Sequence, residues 1–183
     1  MLKKILISVT AGGLLTMAAA AENTAIASKK WEVGIGAAGF IEGSSGDGLQ
    51  STGAYALRTN YRFKPAWSLT GEYMFSPNGN YRDRDDRTDI HRVIASVDWD
   101  AYPDDYYSPY LAAGIGYEEF SGDASNRNGA LAAFGGGIRF NFTETIGVNL
   151  EAKYKMNLDH QDTNVLLTGA LNYRFGTSGD NAE

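Results

Sequence analysis

The chain has no cysteine, which excludes a disulfide framework and a thiolate zinc site. No run of about 20 apolar residues occurs, so no helix is expected to cross a membrane. Positive charge is scarce: 16 Lys and Arg against 22 Asp and Glu leave a formal charge of −6. A nucleic-acid partner, which favours a basic patch, is therefore not expected. Histidine is nearly absent, with only His91 and His160. No glycine loop of the phosphate-binding kind leads from a strand into a helix. At 183 residues there is room for one domain.

The first residues read as a secretory signal. Lys3 and Lys4 precede an apolar stretch from Ile5 to Met17, and Ala18 to Ala21 supply small residues for cleavage. Residues 1–21 are read as the signal peptide, with cleavage before Glu22; a second Ala-x-Ala site ending at Ala27 is the alternative. Residues 22–30 form a short N-terminal segment of the exported chain.

From Trp31 onward the sequence alternates with period two in eight runs, each about ten residues long, the length a tilted strand needs to cross a bilayer. The first run sets Trp31, Val33, Ile35 and Ala37 against Glu32, Gly34 and Gly36. The second sets Tyr55, Leu57, Thr59, Tyr61 and Phe63 against Arg58, Asn60 and Arg62. The seventh sets Ile146, Val148, Leu150, Ala152 and Tyr154 against Asn149, Glu151, Lys153 and Lys155. Short connections at Lys64–Ala66, Pro103–Tyr107 and Thr143–Thr145 alternate with long polar ones near Ile41–Gly53, Ser76–Asp89, Glu119–Gly129 and Asn157–Thr163. Short periplasmic turns and long extracellular loops are the outer-membrane pattern. The expected fold is all-β: an eight-stranded antiparallel up-and-down transmembrane barrel over residues 31–176, followed by a polar tail, 177–183.

Alternation alone does not say which face looks inward, since a soluble carrier barrel has the same period. Volume and the placement of aromatics decide it. The apolar face carries far more large side chains than the interior of an eight-stranded barrel accepts, while the other face mixes charges with Gly, Ala and Ser. Trp31, Phe63, Trp67, Trp99, Phe142, Tyr173 and Phe175 gather at the short-turn ends, and Tyr55, Tyr73, Tyr117 and Tyr154 toward the long-loop ends. Two belts suit two headgroup levels.

The charged face is then a cramped lumen, with nearly equal numbers of each sign. Arg58 and Glu72 are equidistant from the Pro65 turn and should stand opposite each other. Arg139 and Glu151 should be diagonal neighbours, Glu32 and Arg174 should meet near the periplasmic rim, and Arg92 is a candidate partner of Glu118. Such pairs read either as a plug or as a gate that opens by re-pairing.

Catalytic and metal readings are weak. His160 lies between Asp159 and Asp162 in the last loop, but a triad also needs a nucleophile and an orienting group. Asp83, Asp85, Asp86 and Asp89 alternate with Arg82, Arg84 and Arg87, which favours self-paired charge over a calcium site. No catalytic residue, metal or cofactor is expected.

The fifth run, Pro109-Tyr110-Leu111-Ala112-Ala113-Gly114-Ile115-Gly116-Tyr117, and the last, Leu171-Asn172-Tyr173-Arg174-Phe175-Gly176, resemble the OmpA-like and opacity-type small outer-membrane barrels. The terminal Phe175 is similar to the signal such barrels present to their insertion machinery. The resemblance implies a Gram-negative outer membrane, surrounding lipid and lipopolysaccharide, and periplasmic chaperones during assembly. Only eight residues follow Phe175, so the peptidoglycan-binding domain of the two-domain members is not expected. The function expected is structural, with four displayed loops. The alternatives are an adhesin binding a host or surface ligand through those loops, a low-conductance pore, and lipid A modification through His160.

Overall fold

A computed structural model describes residues 29–42, 53–80, 87–121, 128–159 and 163–177. The signal segment, the Arg82–Asp86 stretch, His160, Asp162 and the tail from residue 178 lie outside the described residues. Eight strands follow in order: β1 (Lys29–Glu42), β2 (Gly53–Lys64), β3 (Trp67–Asn80), β4 (Arg87–Asp100), β5 (Tyr107–Phe120), β6 (Gly129–Asn141), β7 (Ile146–Asn157) and β8 (Thr163–Thr177). Each pairs antiparallel with the next, and β8 closes on β1, so the sheet is a closed barrel. Closure removes every edge strand and pairs the backbone groups within the wall, the condition for a strand protein in hydrocarbon.

The register gives the barrel its geometry. Starting at Trp31, partners run through Tyr61, Leu69, Val97, Ala113, Phe134, Tyr154 and Val165, and return to β1 at Ile41, ten residues beyond the start. With about 3.3 Å per residue and about 4.8 Å between strands, that stagger tilts the strands by about 40° and sets a backbone radius of about 8 Å. So narrow a tube is filled by its own side chains.

The face assignment follows from exposure. Val33, Ile35, Leu57, Leu69, Val97, Leu111, Ile115, Leu150 and Leu171 are exposed on the outer wall, while the charged residues of the alternate positions are buried. A water-soluble barrel would invert this; lipid is the solvent that makes it favourable.

Short turns are closed locally. In the β6–β7 turn, the Thr143 hydroxyl accepts from the backbone N–H of Ile146 at 2.9 Å. The Phe142 N–H donates to the Ile146 carbonyl at 3.1 Å. Strand β1 starts at Lys29, two residues before the first alternating position, because Lys29 still pairs with Thr177 of β8.

Among the glycines held by close approach, Gly137 bears on the lumen. A Cβ on Gly137 would lie 2.2 Å from the Leu150 carbonyl and 2.9 Å from the ring of Tyr110. Its absence lets that ring cross the lumen, where the Tyr110 hydroxyl donates to Glu151 at 2.7 Å. Gly137→Ala is expected to cost about 1–3 kcal/mol in denaturant unfolding, the usual range for forcing extra volume into a packed site.

Candidate functional site

The lumen holds the concentrated chemistry of this chain. Among the described residues, six carboxylates (Glu32, Glu72, Asp98, Asp100, Glu118, Glu151) and seven cations (Arg58, Arg62, Arg92, Arg139, Lys153, Lys155, Arg174) are buried in it. Period two puts all thirteen on the inner face. The Coulomb attraction of each pair must offset the desolvation of both partners, so geometry matters.

Asp98 is the hub. Its Oδ2 accepts from Arg58 at 2.7 Å, from Arg139 at 2.9 Å and from the Thr70 hydroxyl at 2.7 Å. Its Oδ1 accepts from Ser96 at 3.0 Å. Arg139 also binds Asp100, and Arg62 stands 3.6 Å from the same carboxylate. Arg58 reaches across the tube to Glu151 at 2.9 Å. Lys153 bridges Glu72 at 2.8 Å and Glu151 at 2.7 Å. Arg139 lies over the Tyr110 ring at 4.5 Å, adding a cation–π contact to the same cluster.

Two smaller groups flank this hub. Toward the periplasm, Arg174 donates to Glu32 at 2.6 Å and to the Asn141 amide oxygen at 2.5 Å. Toward the long loops, Arg92 and Lys155 both bind Glu118, and the Arg92 guanidinium sits 3.9 Å from the centre of the Phe40 ring.

The structure brings together some of the residues paired from sequence and separates others. Glu32 meets Arg174, and Arg92 meets Glu118, as direct register partners. Arg58 stands opposite Glu72 in the register, but no ion pair joins them: Arg58 turns to Asp98 and Glu151, and Lys153 takes Glu72. Arg139 and Glu151 are diagonal across β6 and β7, yet Arg139 goes to Asp98 and Asp100. The reason is the small radius. A long side chain spans the tube as easily as it reaches its neighbour, so pairing is settled over a whole cross-section.

An apolar cluster inside the barrel was not foreseen from sequence. Ala38, Phe40, Ala54, Ala56, Met74, Ile94, Leu131, Ala133 and Leu166 are buried together in the lumen. The signal was available: each falls on the inner-face parity of its strand, near the long-loop end.

On the outer wall, the girdle residues Trp31, Phe63, Trp67, Trp99, Tyr173 and Phe175 are exposed at the short-turn end, with Phe142 half-buried beside them. Tyr102, Tyr106 and Tyr107 extend that belt. Tyr55, Tyr73, Tyr117 and Tyr154 are exposed toward the loops. His91 belongs to this upper belt: its Nδ1 is 2.7 Å from the Tyr73 hydroxyl, and its ring lies 4.9 Å from that of Phe75. Among the described residues no three of His, Asp or Glu are grouped to hold a metal ion.

A family model described as an outer membrane protein β-barrel domain matches residues 7–176. The fold is similar to that of the neisserial surface protein NspA, at 16% identity and a TM-score of 0.64, covering 79% of this chain and 97% of that one. It is also similar to Ail, the attachment invasion locus protein of Yersinia pestis, at 19% identity and a TM-score of 0.57, covering 80% and 99%. OprG, an outer membrane protein of Pseudomonas aeruginosa, matches at 12% identity and a TM-score of 0.57, covering 82% and 97%. No curated protein matches the chain by sequence.

Proposed function

This chain belongs to the outer membrane protein β-barrel family, and on that premise we propose that it is a closed, non-enzymatic wall protein that displays its four long loops at the cell surface. It is an outer-membrane protein of a Gram-negative bacterium. Residues 1–21 are its export signal, and its partners are outer-membrane lipid, lipopolysaccharide and, during assembly, the insertion machinery and periplasmic chaperones.

One observation carries the reading of a closed barrel. The lumen is filled by large buried side chains, with Arg58, Arg92, Arg139, Arg174, Lys153, Lys155, Met74, Ile90, Ile94, Leu131 and Leu166 each less than 2% exposed. Folded wild-type protein in planar bilayers is expected to show no stepwise current above leak. Regular open-state steps from the wild type would make it a pore instead.

A binding role for the loops is the second reading, and charge narrows its partner. Ail has been crystallised with the heparin analogue sucrose octasulfate. The loop segments 41–53, 76–89, 119–129 and 157–163 of this chain carry ten carboxylates against four arginines. A polyanion is repelled by that balance, whereas a cationic protein or surface suits it.

A further inference from the structure

The inner face changes character along the barrel axis, and it does so in the same order on six strands. Moving outward on β1, Glu32 is followed by Ala38 and Phe40. On β2, Arg62 and Arg58 give way to Ala56 and Ala54. On β3, Glu72 precedes Met74, and on β4, Asp100 and Asp98 precede Ile94, with Arg92 beyond it. On β6, Arg139 precedes Ala133 and Leu131, and on β8, Arg174 precedes Leu166. The lumen is therefore stacked: the large ion network toward the periplasm, an apolar collar, then the Arg92–Glu118–Lys155 group toward the loops.

The two remaining strands complete the collar without polar atoms at its level. Strand β5 contributes Gly114 and Gly116, and a Cβ on Gly116 would come 3.1 Å from the Ile94 side chain. On β7, Lys153 sends its ammonium down to Glu72 and Lys155 sends its own up to Glu118. The charged ends thus part to either side and leave alkyl stems between.

Below the collar the polar groups are not all matched within the protein. Both amide atoms of Asn149 and of Asn172, the hydroxyls of Ser108 and Thr168, and Glu32 Oε1 are buried with no protein hydrogen bond. Buried polar atoms of this kind are normally satisfied by ordered water. The collar's own side chains give water nothing to bond, and the one guanidinium that borders them, Arg92, lies on the loop side against the Phe40 ring.

We propose that the barrel holds buried water among its unmatched polar groups on the periplasmic side, capped by a dry apolar collar, and that the collar rather than the ion network is its permeability barrier. This rests on the closed-barrel reading and locates the seal within it. A dehydrated ring stops ions because they must shed water with no replacement ligands, whereas a charged network supplies ligands and can re-pair around them. Inner-face substitutions at the collar therefore decide conduction, and neutral replacement of an ion pair below it does not.

Planar-bilayer recording on three folded proteins tests this. They are the wild type, a collar variant (Met74→Ser with Leu131→Ser and Leu166→Ser) and a network variant (Arg58→Met with Glu151→Gln), whose pair lies below the collar. Folding of each is verified by its shifted gel migration before boiling. The wild type and the network variant should stay silent, while the collar variant conducts at no less than about tenfold the wild-type leak. A silent collar variant, or a network variant that conducts as well as the collar variant, overturns the proposal while leaving the closed barrel intact. A conducting wild type overturns both. Should the triple variant fail to fold, Leu131→Ser alone carries the same expectation, because Leu131 is fully buried at the collar.

Discussion

Replacing Asp98 with alanine should destabilise the barrel by about 3–5 kcal/mol, the cost of removing one partner from a buried, hydrogen-bonded charge cluster. Asp98 is 0% exposed and accepts from Arg58, Arg139, Thr70 and Ser96. Its loss strips a carboxylate from two guanidiniums at once, and neither can turn to bulk water. Arg58 keeps Glu151 and Arg139 keeps Asp100, so the cluster is weakened rather than abolished. Glu72→Gln should cost less, since Lys153 retains Glu151 at 2.7 Å. Denaturant unfolding in lipid vesicles measures both. An Asp98→Ala loss below about 1 kcal/mol, the level of an exposed ion pair, would show that the hub's charges act independently of one another.

Ile35→Arg should cost about 2–4 kcal/mol in the same assay, the penalty for an arginine at the bilayer midplane on the lipid face of a barrel. Ile35 is 67% exposed, between Leu57 and Leu171 on neighbouring strands. It lies four residues outward from Trp31 of the lower girdle on a tilted strand. Tyr173→Arg, at the girdle itself, should cost no more than about 1 kcal/mol, because an interfacial arginine reaches the headgroups. Depth dependence is the informative part. Two equal and negligible losses would mean that water, not hydrocarbon, bathes the outer wall.

Much of the fold is legible because the bilayer imposes a long, simple pattern. Period two assigns a face to each residue, and the contrast between Leu57 and Arg58, or Leu150 and Glu151, persists across eight strands. Register near a tight turn is legible too: counting from Pro65 places Arg58 opposite Glu72, where the strands pair them. What counting along the chain cannot reach is contact across the tube. Lys153 and Glu72 are 81 residues apart, and Arg58 and Glu151 are 93 apart. The collar escaped notice for another reason. Met74, Ile94 and Leu166 are single apolar residues in strands whose outer face is also apolar, so nothing in one strand marks them as a group.

The sequence by itself determined the strand count, the inward face and the compartment, because each follows from local alternation, connection length and the cost of apolar surface in water. Only the tertiary structure decided which charges meet and how the lumen is layered. Those depend on closure with a ten-residue stagger. Closure brings all eight inner faces within one side-chain length of each other, so partners are chosen by height on the barrel axis and not by separation along the chain.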